Sequence, residues 1–181
     1  MNNTFICVAS GPSLTESDCL LAQRSGLPII AVNSSWVAVP NCQHIYAADF
    51  CWWEKYHSDI PSGARCWTSS ISATLCYGLN HFPHPDNESF NSGLRAIQLA
   101  IRQGARRVLL LGYDCCIDAG SHWHGDHPVG LKNPNIASVA RWHAEYSRLG
   151  AKISDIEILN CSRRSALACF PLSTIETVLH A

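Results

Sequence analysis

Apolar positions in this chain fall into short continuous runs separated by stretches of helical spacing, and the two kinds of segment alternate along its length. Thr4 to Ser10 is the first run, rich in β-formers, and it stops at Gly11-Pro12-Ser13. Leu14, Leu20 and Leu21 then suggest an amphipathic helix, with Thr15 and Asp18 placed as a capping pair. Leu27 to Asn33 and Ile45 to Asp49 are the next two runs, each ending on a polar residue. Phe50 to His57 reads as a short aromatic helix and Arg65 to Thr68 as a fourth strand, while Ser69 to Pro85 gives only a weak pattern.

Further along, Ser92 to Gln103 carries Leu94, Ile97, Ala100 and Ile101 at helical spacing and closes at Gly104, as a helix C-terminus would. Val108 to Leu111 reads as a central strand. Gly112 to Asn135 is a long polar stretch, and a loop of that length in a compact domain is usually functional or mobile. Ile136, Val139, Ala140, His143 and Tyr146 then share one helical face, with Gly150 behind them, followed by a strand from Ile156 to Leu159 and a terminal helix opened by Pro171. Strands that are continuously apolar instead of alternating belong to a parallel sheet covered on both faces. The pattern therefore predicts one Rossmann-like α/β domain over residues 1–181, a three-layer sandwich with a mostly parallel sheet.

Composition agrees with this. Of the 181 residues 47% are hydrophobic and only 15% charged, against roughly 25% charged in ordinary domains, which excludes disorder. The net charge of −1 provides no cationic field to hold a nucleic-acid backbone. Ten cysteines are scattered inside apolar runs of a chain large enough to build its own core, so they read as reduced, small hydrophobes. The first residues lack a basic segment followed by an apolar stretch, and no run reaches the roughly 20 apolar residues of a membrane span. A cytoplasmic protein is the expectation. Trp52-Trp53 is read either as a subunit contact of a homo-oligomer or as an aromatic wall for a ligand.

Ligands of open α/β sheets bind beyond the carboxyl ends of the strands. The residues ending the apolar runs are Ser10-Gly11, Asn33, Asp49, Ser69 and Asp114, all small or hydrogen-bonding. Gly11-Pro12-Ser13 lies between a strand and a helix, where a phosphate can approach the backbone; it is equally a plain turn. Asn91-Ser92-Gly93 opens a second helix with the same chemistry, or with a simple N-cap. Asp49 and Asp114 suit a divalent cation such as Mg²⁺, a ribose or a cap, and Asn33 suits a base, a sugar or an Asx turn.

The segment His122-Trp123-His124-Gly125-Asp126-His127 matches H-x-H-x-D-H, which supplies zinc ligands in the metallo-β-lactamase superfamily. That fold needs further His and Asp ligands downstream, and after residue 127 the chain has His143, His180 and Asp155 and too little length for a second β-layer. Zinc hydrolysis is therefore the lesser reading of His122, His124, Asp126 and His127. A histidine acting as general base on a hydroxyl is the better one, since a near-neutral pKa suits that proton transfer. A solvated loop with no catalytic role is the plain alternative.

With Val8-Ala9-Ser10-Gly11-Pro12-Ser13-Leu14, Ala31-Val32-Asn33, and Asn91-Ser92-Gly93 continuing to Asp114, the chain resembles glycosyltransferase family 42, bacterial sialyltransferases that use a CMP-activated sugar. It is also similar to the 6-hydroxymethylpterin diphosphokinase-like family, and Leu159-Asn160-Cys161-Ser162 with Ser165, Leu167 and Phe170 extends the likeness to the tail. The resemblance implies that Gly11, Pro12 and Ser13 approach a nucleotide, that Asn33 contacts it and that Ser92 and Gly93 sit by its phosphate; Ser10, Asp49 and Asn91 join them as candidate nucleotide-binding residues from their places at strand ends and at the helix start. It implies a catalytic histidine in the loop, His127 first and His124 second, near Asp114. Three positions depart from the sialyltransferases: Ser10 replaces an Asn, Cys115-Cys116 replaces an aromatic hydroxyl, and Glu88-Ser89-Phe90-Asn91 replaces a basic residue useful for a sugar carboxylate. The expected partners are thus a nucleotide or nucleotide-sugar donor and a small-molecule or glycan acceptor. An ATP- and Mg²⁺-dependent pterin-type diphosphokinase and a non-catalytic nucleotide-binding protein are the alternatives.

Overall fold

Seven strands form one sheet, all parallel, in the computed structural model, which describes residues 3–85, 91–118, 120–126, 129, 131 and 133–180. In chain order the elements are β1 (Thr4–Val8), α1 (Glu16–Arg24), β2 (Ile29–Val32), β3 (His44–Tyr46), α2 (Phe50–Tyr56), β4 (Arg65–Thr68), α3 (Ile71–Tyr77), β5 (Asn80–His81), α4 (Ser92–Arg102), β6 (Arg107–Leu111), α5 (Ile136–Lys152), β7 (Glu157–Asn160) and α6 (Ile175–His180). The strands lie in the order β5-β4-β3-β2-β1-β6-β7. The chain thus winds outward from β1 to β5, then returns through α4 to lay β6 against the other side of β1. Ile6 sits opposite Ile29 on one side and Leu109 on the other.

Successive side chains of a strand face opposite ways, and here both faces are covered. Ile6, Val8, Ala31, Ile45 and Leu109 pack with Cys19, Trp53 and Ile175, residues of the helices on one side. Phe5, Cys7, Ile30, Tyr46 and Leu110 pack with Leu94, Ile97, Ala100 and Tyr146 of α4 and α5 on the other. This is the expected three-layer Rossmann-like sandwich, and double-sided burial is why the strands read as unbroken apolar runs. Thr15 caps α1 as its spacing predicts: its Oγ1 accepts from Asp18 N at 3.1 Å and donates to Asp18 Oδ2 at 2.7 Å. Asp18 also accepts from Arg163 Nε at 3.0 Å, which ties α1 to the segment after β7.

Two expectations are corrected. Trp52 and Trp53 are neither a subunit contact nor a ligand wall: both are buried in the core, where Trp53 Nε1 donates to Ala47 O at 2.9 Å and Trp52 Nε1 to Ser34 Oγ at 3.2 Å. Pro171 does not open the terminal helix. Its carbonyl accepts from Asn160 N at 2.8 Å, extending the edge beyond β7, and α6 begins only at Ile175. The weakly patterned stretch after Ser69 holds α3 and β5, and β5, two exposed residues on the sheet edge, has no apolar run to announce it. No two of the ten cysteines are joined. Among the described residues, no helix is long and apolar enough to cross a membrane.

Candidate functional site

Strand order reverses between β1 and β6, and in open α/β sheets that reversal opens a crevice at the carboxyl ends of the strands. A cavity of about 480 Å³ occupies it, within the usual size range of small-molecule sites. Ser10 and Gly11 follow β1, Asn33 follows β2, Asp49 precedes α2 and Asp114 follows β6, and all five line this cavity together with Asn91, Ser92 and Gly93 at the start of α4. Ser69, the fifth strand end, is not among the lining residues. At roughly 4.8 Å per strand, β4 lies some 14 Å across the sheet from β1, too far along the edge to share the crevice. Pro12, Ser13, His124 and Asp126 also stand outside the lining. His127 lies outside the described residues.

The wall at the strand ends is held by its own hydrogen bonds. Asp114 is only 1% exposed, and its two carboxylate oxygens accept from Ser13 N at 2.8 Å and Ser13 Oγ at 2.7 Å. Burial pushes its carboxyl above the usual range, while the two Ser13 bonds and Arg164 oppose that rise. Gly11 is required by this clamp: a Cβ there would meet Asp114 Oδ1 at 2.2 Å and the Gly112 carbonyl at 2.5 Å. On the α4 side, Asn91 is a true N-cap, its Oδ1 accepting from Leu94 N at 3.0 Å and from the Tyr146 hydroxyl at 3.3 Å. Ser92 Oγ accepts from Ala48 N at 3.1 Å, which ties α4 to the segment leaving β3. Gly93 leaves room for Tyr146, whose hydroxyl a Cβ would meet at 2.6 Å, and its carbonyl accepts from Tyr113 OH at 3.0 Å.

Asp49 occupies the N-cap position of α2, yet its side chain makes no cap hydrogen bond. Asn33 has φ 48°, a left-handed conformation that Asn tolerates better than most residues, and opens a short 3₁₀ turn. Cys115 is also left-handed, with φ 50°; its carbonyl bonds to the His143 Nε2 at 2.9 Å, and burial pushes its thiol up to about 12. A thiol so placed is protonated at neutral pH and is no nucleophile.

The histidine loop meets the strand ends at Ser10. His122 Nδ1 and Ser10 Oγ are 2.7 Å apart, and Trp123 N donates to Ser10 O at 2.8 Å. The His122 and His124 rings stack with centroids 5.1 Å apart, and burial pushes His124 below the ordinary imidazole range. Of the loop histidines described, His122 lines the cavity. Among the described residues no three His, Cys, Asp or Glu side chains converge as a metal site requires.

A further part of the wall is α5, which contributes Ser138, Arg141 and Trp142. Sequence reasoning missed these three, because it followed the apolar face of the helix. The signal was present in their i, i+3, i+4 spacing, which places a hydroxyl, a guanidinium and an indole on one stripe.

Fold and site together define a Rossmann-like α/β domain with a small-molecule cavity at its topological switch point. No family model matches the sequence, and no curated protein matches it. Among solved structures, the chain is similar to the MAf glycosyltransferase from Magnetospirillum magneticum AMB-1, with a TM-score of 0.66 and 14% identity over 98% of this chain and 34% of that one. The chain thus spans about a third of that protein's length. Thiamin pyrophosphokinase from Geobacillus thermodenitrificans aligns with a TM-score of 0.44 and 12% identity over 86% of this chain and 58% of that one. At 14% identity the first likeness is one of fold.

Proposed function

We propose that this chain is a transferase that binds a nucleotide-activated donor in the switch-point cavity, with a histidine of the loop from His122 to His127 as general base on an acceptor hydroxyl. One observation carries the reading. Ser10, Gly11, Asn33 and Asp49, from separate parts of the chain, line one cavity together with Ser92 and Gly93 at the N-terminus of α4. Backbone N–H groups and the helix dipole at such a terminus favour a phosphate, and they stabilise the charge that builds on it as it departs. The base removes the acceptor proton as the new bond forms, and holding donor and acceptor side by side supplies much of the acceleration. The resemblance to glycosyltransferase family 42 favours a CMP-sugar as donor. The changes at Ser10, Cys115-Cys116 and Glu88-Ser89-Phe90-Asn91 weigh against a sialic acid.

A divalent cation beside the phosphates would take Asp49, while Asp114, its expected partner, spends both oxygens on Ser13. A magnesium-dependent diphosphokinase is correspondingly the weaker reading.

Thermal denaturation in the presence of CMP, CTP, ATP and UDP, each with and without Mg²⁺, tests the proposal. A ligand at a hundred times its Kd stabilises by about 2.7 kcal/mol, so a cytidine nucleotide is expected to raise Tm without the metal. An ATP shift that requires Mg²⁺ would favour the diphosphokinase, and no shift with any nucleotide would remove the reading. His127→Ala is expected to abolish donor turnover and leave the nucleotide shift intact, with His124→Ala as the comparison. A nucleotide shift with no turnover of any donor would leave a binding protein.

A further inference from the structure

We propose that Arg141 forms an oxyanion subsite on the α5 wall of the cavity and selects substrates carrying a phosphate or carboxylate there. The inference rests on the nucleotide reading for the identity of the substrate, and on the cavity alone for the subsite. Arg141 is the one Lys or Arg among the lining residues. Its side chain is exposed, and among the described residues it forms no ion pair. Glu145, the carboxylate one turn further along α5, is buried and turned to Asn91, whose Nδ2 lies 3.5 Å from its Oε2. The guanidinium is therefore not neutralised by the acid best placed in sequence to do so.

Position fixes what the cation can meet. Tyr146 hydrogen-bonds Asn91 at the start of α4, and Arg141 precedes it by five residues, about 7.5 Å along the helix axis. The α4 N-terminus and Arg141 thus line one ligand-sized cavity from two different helices. The other charged groups on its lining are Asp49 and Asp114, and Asp114 already accepts two hydrogen bonds from Ser13. A planar fork of N–H donors matches the two oxygens of a carboxylate or phosphate, whereas the Ser138 hydroxyl already donates to Asn135 Oδ1 at 3.1 Å and leaves the guanidinium as the donor group. Trp142 adds a flat apolar surface for the uncharged part of the same ligand.

Binding by the full chain and by Arg141→Ala, Arg141→Gln and Arg141→Lys is measured with two probe sets. Cytidine, CMP and CDP, with adenosine, AMP and ADP beside them, report a phosphate; UDP-glucuronate against UDP-glucose reports a carboxylate. A guanidinium hydrogen-bonded to an anion should make Arg141→Ala about tenfold to a hundredfold weaker for the anionic member of a set and leave its neutral partner unchanged, with Arg141→Lys in between. Loss confined to the phosphate series identifies the donor phosphate as the group held, and loss confined to the sugar-acid pair identifies a carboxylate. Equal weakening of neutral and anionic probes, or no weakening, overturns the proposal. If the wild type binds no nucleoside or nucleotide, the nucleotide reading falls, and inorganic pyrophosphate and malonate then decide the subsite. A Tm shift with either that Arg141→Gln abolishes sustains it, and no shift in the wild type ends it.

Discussion

The two walls of the cavity are built on opposite plans. At the strand ends and the start of α4, polar groups are spent on one another: Asp114 on Ser13, Asn91 on Leu94 and Tyr146, Ser92 on Ala48. On α5, Ser138, Arg141 and Trp142 present side chains to the cavity, and the histidine loop joins the strand ends through Ser10. The first wall is a scaffold that shapes the crevice and aims a helix terminus into it. The second holds the Arg141 guanidinium, which forms no ion pair among the described residues, while Ser138 Oγ donates to Asn135 Oδ1 at 3.1 Å. Buried polar groups must be satisfied by partners, so residues that look ligand-like at strand ends can be structural first and line a site by consequence.

Breaking the scaffold should therefore cost global stability, and breaking the loop contact should not. The largest effect is expected from Gly11→Ala, because the new methyl would overlap Asp114 Oδ1 and the Gly112 carbonyl. Overpacking and loss of the Ser13 clamp together should cost about 3 kcal/mol in urea denaturation. Asp114→Ala should come next, at about 2 kcal/mol, since it leaves the Ser13 amide and hydroxyl without their acceptor. An Asp114→Ala protein as stable as the wild type would refute the scaffold role.

The pH dependence separates the walls from the rest of the sheet. His44 on β3 is buried and its Nδ1 accepts from Trp67 Nε1 at 3.0 Å, and burial lowers its pKa, with Arg65 adding to the effect. In the unfolded chain an imidazole binds its proton near pH 6.5, so between that value and the lower folded one the unfolded state holds more protons. The stability contributed by neutral His44 is complete above about pH 6.5 and is lost as pH falls below it. His124 is shifted the same way by burial, but in the loop. His44→Gln is expected to flatten the acid limb of global denaturation, and His124→Gln to change only local exchange in the loop; a global response to both would erase the distinction.

Smallest of all should be Ser10→Ala. It removes one half-buried hydrogen bond to His122, worth about 1 kcal/mol or less, but amide exchange at His122 to Asp126 should rise clearly more than in the sheet.

Much of the scaffold was legible because its signals are local. Apolar runs ending on Ser10, Asn33, Asp49 and Asp114 mark strand ends, and a small residue before a helical pattern marks Asn91 as a cap. β5 was not legible, since two exposed edge residues carry no hydrophobic pattern, and neither was the burial of Trp52-Trp53, which depends on what α2 lies against. Arg141 was overlooked for a related reason: a charged residue on the polar side of a helix looks solvated until another element rises beside it.

By itself the sequence determined a parallel α/β sheet and the polar rim along its carboxyl edge, because buried strands must be apolar throughout and must stop where the chain turns to water. The tertiary structure alone decided which parts of that rim form a site. The return of the chain to β6 beside β1 brings Asp114 to Ser13, leaves Ser69 outside the lining, and sets Arg141 on the same cavity as the α4 terminus. Those pairings join residues tens of positions apart, and no local pattern encodes them, since they arise from the order in which the strands pack.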